Sequence, residues 1–132
     1  MMKLFLFGYG QMGKEIEKLA LERGHKISGI CDPENAYKFD ATAFADADIA
    51  IDYTTPESAV HNMTMSFEAN KPIVVGTTGW YEQLDAVKKL CEKLNGTLFY
   101  ATNFSIGVNV LFEMSELLSK MISQQDSYSV SI

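Results

Sequence analysis

The sequence lacks the features that mark membrane, metal-binding and disulfide-rich secreted proteins. No apolar run approaches the roughly 20 residues that a transmembrane helix needs, and the short run from Met1 to Phe7 leads into a glycine turn without a signal-peptide cleavage pattern. The two cysteines, Cys31 and Cys91, lie far apart and match no metal-binding or redox spacing. We therefore expect a cytoplasmic protein with reduced thiols, no membrane segment and no bound metal.

Basic residues are also scarce: 11 Lys and Arg stand against 17 Asp and Glu, which gives a formal net charge of −6. Nucleic-acid binding needs clustered cations on the phosphates, so no nucleic-acid partner is expected. A dinucleotide is not excluded, because backbone amides at a helix N-terminus can hold its phosphates locally. His25 and His61 have no carboxylate or serine partner nearby in sequence and are predicted to be surface residues.

What the sequence does contain is an alternation of short apolar runs and helical patterns over 132 residues, the length of one domain. Strands are predicted at 3–7, 26–31, 48–53, 72–76 and 97–101. Helices lie between them, with Thr55 as cap and Pro56 at the first position of one, and the last runs from about 107 to 123. Residues 33–47 show no clear element beyond a turn of helix. The pattern predicts an α/β fold of Rossmann type, a doubly wound parallel sheet with helices on both faces.

A glycine loop, Gly8-Tyr9-Gly10-Gln11-Met12-Gly13, follows the first strand and opens the first helix. In this fingerprint the first glycine permits a tight turn, the second lets a pyrophosphate approach the backbone, and the third lets helix and strand pack closely. The alternatives are a purely structural turn or another nucleotide-like ligand. Because the strand–turn–helix context fits, the loop predicts dinucleotide binding.

Asp32 follows 22 positions after Gly10, at the end of the second strand, where a carboxylate can accept hydrogen bonds from the adenosine ribose. The alternative is an ordinary turn residue before Pro33. A carboxylate there repels the 2′-phosphate of NADPH, no arginine lies beside it, and Lys38 is the nearest cation. NADH is therefore favoured over NADPH.

Three further polar segments, 52–56, 76–79 and 101–107, follow predicted strands, at the edge where open α/β sheets bind ligands. Their small polar residues suit the carboxamide of a nicotinamide ring, which needs neutral donors and acceptors.

Together these segments resemble the dihydrodipicolinate reductases of lysine and diaminopimelate biosynthesis. The resemblance rests on Ile51-Asp-Tyr-Thr-Thr-Pro-Glu57, Val75-Gly-Thr-Thr-Gly79 and Asn103-Phe-Ser-Ile-Gly-Val-Asn109, and it extends from Lys3 to Ile132. It implies that the complete protein uses NADH or NADPH to reduce a dihydrodipicolinate-type heterocyclic dicarboxylate to tetrahydrodipicolinate. The loop and the resemblance together assign cofactor binding to Gly8, Tyr9, Gly10, Gln11, Met12, Gly13, Asp32, Thr54, Gly76, Thr77, Thr78, Ala101, Thr102, Asn103 and Phe104. The resemblance also implies that Thr78 lies close to the bound substrate.

Two departures from the family pattern matter. Gln11 stands where the family usually has an arginine that helps to hold the 2′-phosphate, which again favours NADH. The paired histidines, lysine and Ser-Gly-Thr segment of the family's second domain do not occur before Ile132, so no catalytic residue is assigned in this chain.

The predicted organisation is therefore an NAD(P)-binding domain over 1–126, with 127–132 as the first strand of a truncated domain for substrate binding and oligomerisation. The fragment is expected to bind cofactor and catalyse little, and a homotetramer is expected only with the second domain. Two alternatives stay open: another two-domain nicotinamide dehydrogenase of the homoserine dehydrogenase type, and a non-catalytic NAD-sensing module.

Overall fold

A computed structural model describes residues 1–124 and 127–128 of the chain. It divides into two compact units, Met1–Thr102 and Asn103–Ile132. Of the strand predicted at 127–132, residues 129–132 lie outside the described part, and the predicted domain boundary after residue 126 stays a prediction.

The elements match the predicted alternation of strands and helices. The strands are β1 (Lys3–Phe7), β2 (Lys26–Cys31), β3 (Ile49–Asp52), β4 (Ile73–Val75) and β5 (Leu98–Tyr100). The α-helices are α1 (Gln11–Glu22), α2 (Ala41–Asp46), α3 (Pro56–Glu68), α4 (Leu84–Lys93) and α5 (Ile106–Ile122). All five predicted strands are confirmed.

The five strands form one parallel sheet in the order β2-β1-β3-β4-β5. Their last residues are paired in register across the sheet: Cys31, Phe7, Asp52, Val75 and Tyr100. The loops after the strands therefore leave the sheet along one edge. The strand order reverses between β1 and β3, and such a switch point opens a crevice for ligands in doubly wound sheets.

Side chains that alternate along β1 explain why helices cover both faces of the sheet. Phe5 and Phe7 are buried in the larger core cluster with residues of α2, α3 and α4. Leu4 and Leu6 point to the opposite face and pack in a second cluster with Ala20 of α1. Each fully buried large side chain contributes roughly 1.5–3 kcal/mol relative to exposure. The predicted doubly wound fold is confirmed.

The segment 33–47 contains more structure than the sequence predicted. Helix α2 occupies six of its residues, and the Asp40 side chain accepts hydrogen bonds from the N–H groups of Thr42 and Ala43 at 2.8 and 3.0 Å. Phe44 anchors this helix, because its ring lies edge-on to Phe5 with the centroids 5.1 Å apart. A helix of fewer than two turns carries too few apolar positions to show a period.

Two other helix starts have different caps. Thr55 occupies the N-cap of α3 before Pro56, as predicted, but its side chain bonds no backbone N–H group of the helix. Its hydroxyl instead donates to the Ser58 hydroxyl at 3.3 Å. In the second unit, the Ser105 hydroxyl accepts a hydrogen bond from the N–H of Val108 at 3.4 Å at the start of α5.

Candidate nucleotide-binding site

An added side chain would meet different surroundings at each of the three glycines of the loop. A Cβ atom on Gly8, whose φ is +87°, would lie 2.2 Å from the carbonyl oxygen of Tyr53, and a Cβ on Gly13 would lie 2.4 Å from the carbonyl oxygen of Gly8. A Cβ on Gly10 would meet no protein atom within 4 Å. Gly8 and Gly13 are thus required by the packing of the protein itself, whereas Gly10 keeps space free at the start of α1.

Helix α1 begins at this free space. Gly10 is its N-cap and carries no side chain to bond the first N–H groups, and the first turn has no acidic residue. Because the first N–H groups of a helix have no partner within it, and the helix dipole is positive at this end, the turn can hold an anion. Gly10, Gln11 and Met12 line a cavity of about 330 Å³.

Tyr9 was predicted, with the rest of the loop, to bind the cofactor, but it already forms hydrogen bonds within the protein. Its backbone N–H donates to Asp32 Oδ2 at 2.5 Å, and its hydroxyl donates to Glu17. The hydrogen bond to Glu17 raises the pKa of Tyr9 to about 12. The ring lies edge-on to Tyr37, with the centroids 5.0 Å apart. The Tyr9 amide is therefore not free for a phosphate.

Asp32 shapes the turn after β2 and also lines a cavity, and its contact with the adenosine ribose stays a prediction. Its carboxylate accepts from the backbone N–H of Tyr9, and from the backbone N–H and side-chain amide of Asn35 at 3.2 and 3.0 Å, so it shapes the turn after β2. It also lines a cavity of about 250 Å³. Burial would raise the pKa of Asp32, but the hydrogen bonds from Tyr9, Asn35 and Glu34 oppose burial and hold it below its ordinary value. The side chain therefore faces this cavity as a carboxylate.

The two cavities share Gly10, Tyr53 and Thr54, and so form one crevice along the carboxyl edge of the sheet. We use the word crevice for the space lined by Gly8, Gly10, Gln11, Met12, Cys31, Asp32, Glu34, Asn35, Tyr53, Thr54, Thr55, Ser58, Gly76, Thr77 and Thr78. It runs from the end of β2 across the switch point to the loop after β4. Nine of the fifteen residues predicted to bind cofactor line this space.

A larger cavity of about 530 Å³ adjoins the crevice at Cys31, Thr54 and Ser58. Phe39 and Met65 give it apolar walls, and the exposed His61 stands at its rim. No sequence pattern predicted this space, because much of its wall comes from the irregular segment before α2 and from the side of α3.

In the loops after β3 and β4, the glycine and the threonines contribute to the crevice in different ways. A Cβ on Gly76 would lie 2.1 Å from the ring of Tyr53, so this glycine makes room for a protein side chain. The hydroxyls of Thr54 and Thr77 are turned away from the crevice and donate to the buried Asp52. Thr78 is exposed. Asp52 was not singled out in the sequence.

The remaining predicted residues fall at the division between the two units. Ala101 and Thr102 end the first unit directly after β5, while Asn103 and Phe104 begin the second. The side-chain oxygen of Asn103 accepts from the N–H of Ser105 at 2.7 Å. Contact of these four residues with a cofactor stays a prediction.

Within residues 1–124 and 127–128, no group of three or more His, Cys, Asp or Glu residues could hold a metal ion. None of the helices described there is long and apolar enough to cross a membrane.

Comparison with known proteins shows the family. Residues 2–104 match the family model described as dihydrodipicolinate reductase, N-terminus. The chain is 39% identical over 131 residues to the 4-hydroxy-tetrahydrodipicolinate reductase of Christiangramia forsetii, which covers 99% of this chain and 54% of that protein. It is 33% identical over 132 residues to the reductase of the same name from Staphylococcus carnosus, which covers 95% of this chain and 53% of that protein. The chain thus spans about half the length of the curated relatives it matches.

Solved structures show the same fold at low identity. UDP-N-acetylglucosamine 3-dehydrogenase from Acidithiobacillus ferrooxidans superposes with a TM-score of 0.63 at 14% identity, over 86% of this chain and 43% of that one. A putative homoserine dehydrogenase from Archaeoglobus fulgidus gives a TM-score of 0.58 at 17% identity, over 76% and 42% of the two chains. The homoserine dehydrogenase alternative therefore shares the fold alone.

The sequence matches extend well beyond the glycine loop and include the segments after β3 and β4 on which the resemblance rested. Fold and family together support a nicotinamide dinucleotide as the cofactor of this nucleotide-binding domain. The chain belongs to the dihydrodipicolinate reductase family and corresponds to its N-terminal part.

Proposed function

We propose that this chain is the domain that binds and orients NAD(P)H in a reductase of lysine and diaminopimelate biosynthesis. The observation that carries the proposal is the crevice itself, which joins Asp32, the uncapped start of α1 and the loop after β4 along one edge of the sheet. A dinucleotide needs these three features in this order: a ribose acceptor, a phosphate site and a neutral polar site for the carboxamide.

In this proposal, the parts of the cofactor follow one another along the crevice. The pyrophosphate would lie over Gly10 at the start of α1, where an added Cβ would occupy its place. The adenosine ribose would bond to Asp32, and the adenine would enter the adjoining cavity beside Phe39 and Met65. The nicotinamide ring would lie at Gly76, Thr77 and Thr78, with Ala101 and Thr102 of the same unit beside it. The cofactor supplies the hydride, and these residues hold and orient it.

The other half of the reaction belongs to sequence outside this chain. The curated relatives are named for reduction of 4-hydroxy-tetrahydrodipicolinate and are nearly twice as long. We assign the dicarboxylate-binding cations, the proton donor and the homotetramer contacts to a second domain, of which 127–132 would be the first strand. Helix α5 supports this, because apolar side chains occupy most of its circumference and leave a narrow polar strip with Asn109, Glu113 and Glu116.

We further propose that NADH is preferred to NADPH. Asp32 faces the crevice as a carboxylate, which repels a 2′-phosphate, and Gln11 supplies no positive charge. The cation to examine is Lys14, which lines a small cavity of about 210 Å³ with Tyr9, Asn35 and Tyr37, next to the Asp32 turn.

Calorimetric titration of the chain with NADH and NADPH at equal ionic strength tests both parts of the proposal. NADH should bind at least as tightly, and Asp32→Ala should weaken NADH more than NADPH, by roughly 1.5–3 kcal/mol at most. Lys14→Ala is the matched variant and should weaken only NADPH. A clear preference of the unaltered chain for NADPH contradicts the role given to Asp32, and failure to bind either dinucleotide contradicts the proposed function.

A further inference from the structure

The carboxylate of Asp52 is the centre of a buried hydrogen-bond cluster beneath the crevice. Asp52 ends β3 and is fully buried. Its Oδ1 accepts from the Thr77 hydroxyl at 2.5 Å and from the Thr54 hydroxyl at 3.0 Å. Its Oδ2 accepts from the side-chain amide of Asn62 at 2.7 Å and from the same Thr54 hydroxyl at 3.1 Å. Both oxygens are thus held by donors from three separate parts of the chain.

The donors to this carboxylate are neutral. In the part of the chain that the structure describes, the lysine ion pairs are Lys3 with Asp46 and Lys120 with Glu116, and neither involves Asp52. A buried carboxyl group is costly unless hydrogen bonds satisfy it, and well-packed apolar residues often serve stability as well as buried polar groups do. The buried side chain of Asp52 therefore indicates a role beyond packing β3 into the core.

The cluster joins the two loops that form the nicotinamide end of the crevice. Thr54 lies in the loop after β3 and Thr77 in the loop after β4, and the N–H of Thr54 donates to the Thr77 hydroxyl at 2.8 Å. Asn62 adds α3 to the same cluster, and Trp80 bonds the carbonyl oxygen of Thr77 at 2.8 Å. With the hydroxyls of Thr54 and Thr77 turned inward, the loop after β4 presents its backbone and Thr78 to the crevice.

We propose that Asp52 is a positioning residue for the cofactor: its buried carboxylate fixes the loop after β3 to the loop after β4 and so sets the geometry of the crevice where the nicotinamide ring binds. This inference rests on the proposed function, because it assumes that a dinucleotide occupies the crevice. It assigns Asp52 no contact with the cofactor, since Thr54 and Thr77 stand between the carboxylate and the crevice.

The test compares two ligands that differ at the nicotinamide end only. NADH and ADP-ribose share the adenosine and the pyrophosphate, and ADP-ribose lacks the nicotinamide. Both are titrated into the 132-residue chain and into the variants Asp52→Asn, Thr77→Val and Thr77→Ser. Thr64→Val is the control, because it also removes a hydroxyl from the first unit, one that bonds the carbonyl oxygen of Val60 within α3 and lines no part of the crevice.

Asp52→Asn and Thr77→Val should each weaken NADH by about tenfold while changing ADP-ribose by less than about twofold. Thr77→Ser keeps the hydroxyl and should restore NADH affinity to within about twofold of the unaltered chain. If Asp52→Asn does not fold, the two Thr77 variants carry the comparison, because serine keeps a hydroxyl that can donate to Asp52 and valine has none.

Equal losses for both ligands would mean that the cluster only stabilises the fold, and unchanged NADH affinity would mean that it has no bearing on the site. Either result overturns the role of Asp52 while the proposed function stands, provided that the unaltered chain binds both ligands. An unaltered chain that binds neither overturns both.

Discussion

At Gly10 an added methyl group would meet no protein atom within 4 Å, whereas at Gly13 it would lie 2.4 Å from the carbonyl oxygen of Gly8. Gly10 and Gly13, although they belong to one fingerprint, therefore meet different structural requirements. Gly13 protects the contact between α1 and the turn, and Gly10 protects the space proposed for the pyrophosphate.

Alanine substitution separates these two requirements. Gly10→Ala should leave the free energy of unfolding within about 1 kcal/mol of the unaltered chain, and should lower NADH affinity by more than about tenfold. Gly13→Ala should destabilise the fold by on the order of 1–3 kcal/mol. Urea unfolding and calorimetry measure the two effects. NADH affinity of Gly10→Ala within about twofold of the original would place the phosphates elsewhere.

Asp32 gives a prediction for the dependence of stability on pH. Hydrogen bonds hold its pKa below the ordinary 3.8 in the folded chain, so the stability they provide is present above pH 3.8 and is lost as the pH falls through the lowered value. Asp32→Asn should therefore be less stable than the unaltered chain near neutral pH, and the difference should shrink at about pH 3. Urea unfolding at both pH values checks this, and a difference that grows on acidification would contradict it.

Some residues of the site could be predicted from the sequence and others could not, and the difference has a physical reason. Asp32 and the glycine loop could be predicted because each stands at a fixed place after a strand. The Asp52 cluster joins residues 10 and 25 positions away, so only the folded chain brings them together. The one available signal was an acidic residue at the end of an apolar strand, where burial demands partners.

At the scale of elements, the strands were predictable because strands buried on both faces are continuous apolar runs. Helix α2 was not, because its stability comes from one cap and one buried ring instead of a repeated pattern. Asp40 and Phe44 supply these two contacts.

Removing the cap should show how much α2 contributes. Asp40→Ala leaves the N–H groups of Thr42 and Ala43 without their side-chain acceptor and should cost about 1 kcal/mol of unfolding free energy. Asp40→Ser keeps a capping oxygen and should recover most of that loss. Urea unfolding of the three proteins measures both effects, and equal stability of the alanine and aspartate forms would show that Phe44 alone holds the helix.

At the scale of the whole molecule, the chain covers about half of its curated relatives, and half of the chemistry is proposed to lie elsewhere. Hydride transfer to a dicarboxylate needs a proton donor and cations placed against the substrate. The crevice residues include neither a histidine nor a lysine. Under the proposed function, the crevice holds the cofactor, and the proton donor and the cations come from residues outside the crevice.

The 132-residue chain should consequently show negligible turnover of the heterocyclic dicarboxylate with NADH. A longer protein that continues for roughly another domain, on the order of a hundred residues, should reduce it. The measurement is NADH oxidation by both proteins at equal concentration. Should the longer protein bind NADH and still fail to reduce this substrate, the assigned reaction falls and a nicotinamide dehydrogenase with another substrate takes its place.

Because Cys31 lines the crevice, the alkylation rate of its thiol can show whether the crevice is occupied. Cys31 lines both the crevice and the adjoining cavity, whereas Cys91 on α4 packs against the core cluster. Burial, and then the charge of Asp32, raise the pKa of the Cys31 thiol, so alkylation at neutral pH should be slower than for an ordinary thiol. Mass spectrometry of alkylated peptides should show that NADH protects Cys31 and leaves Cys91 unaffected. Equal protection of both thiols would point to general tightening of the fold, and protection of neither would place the cofactor outside the crevice.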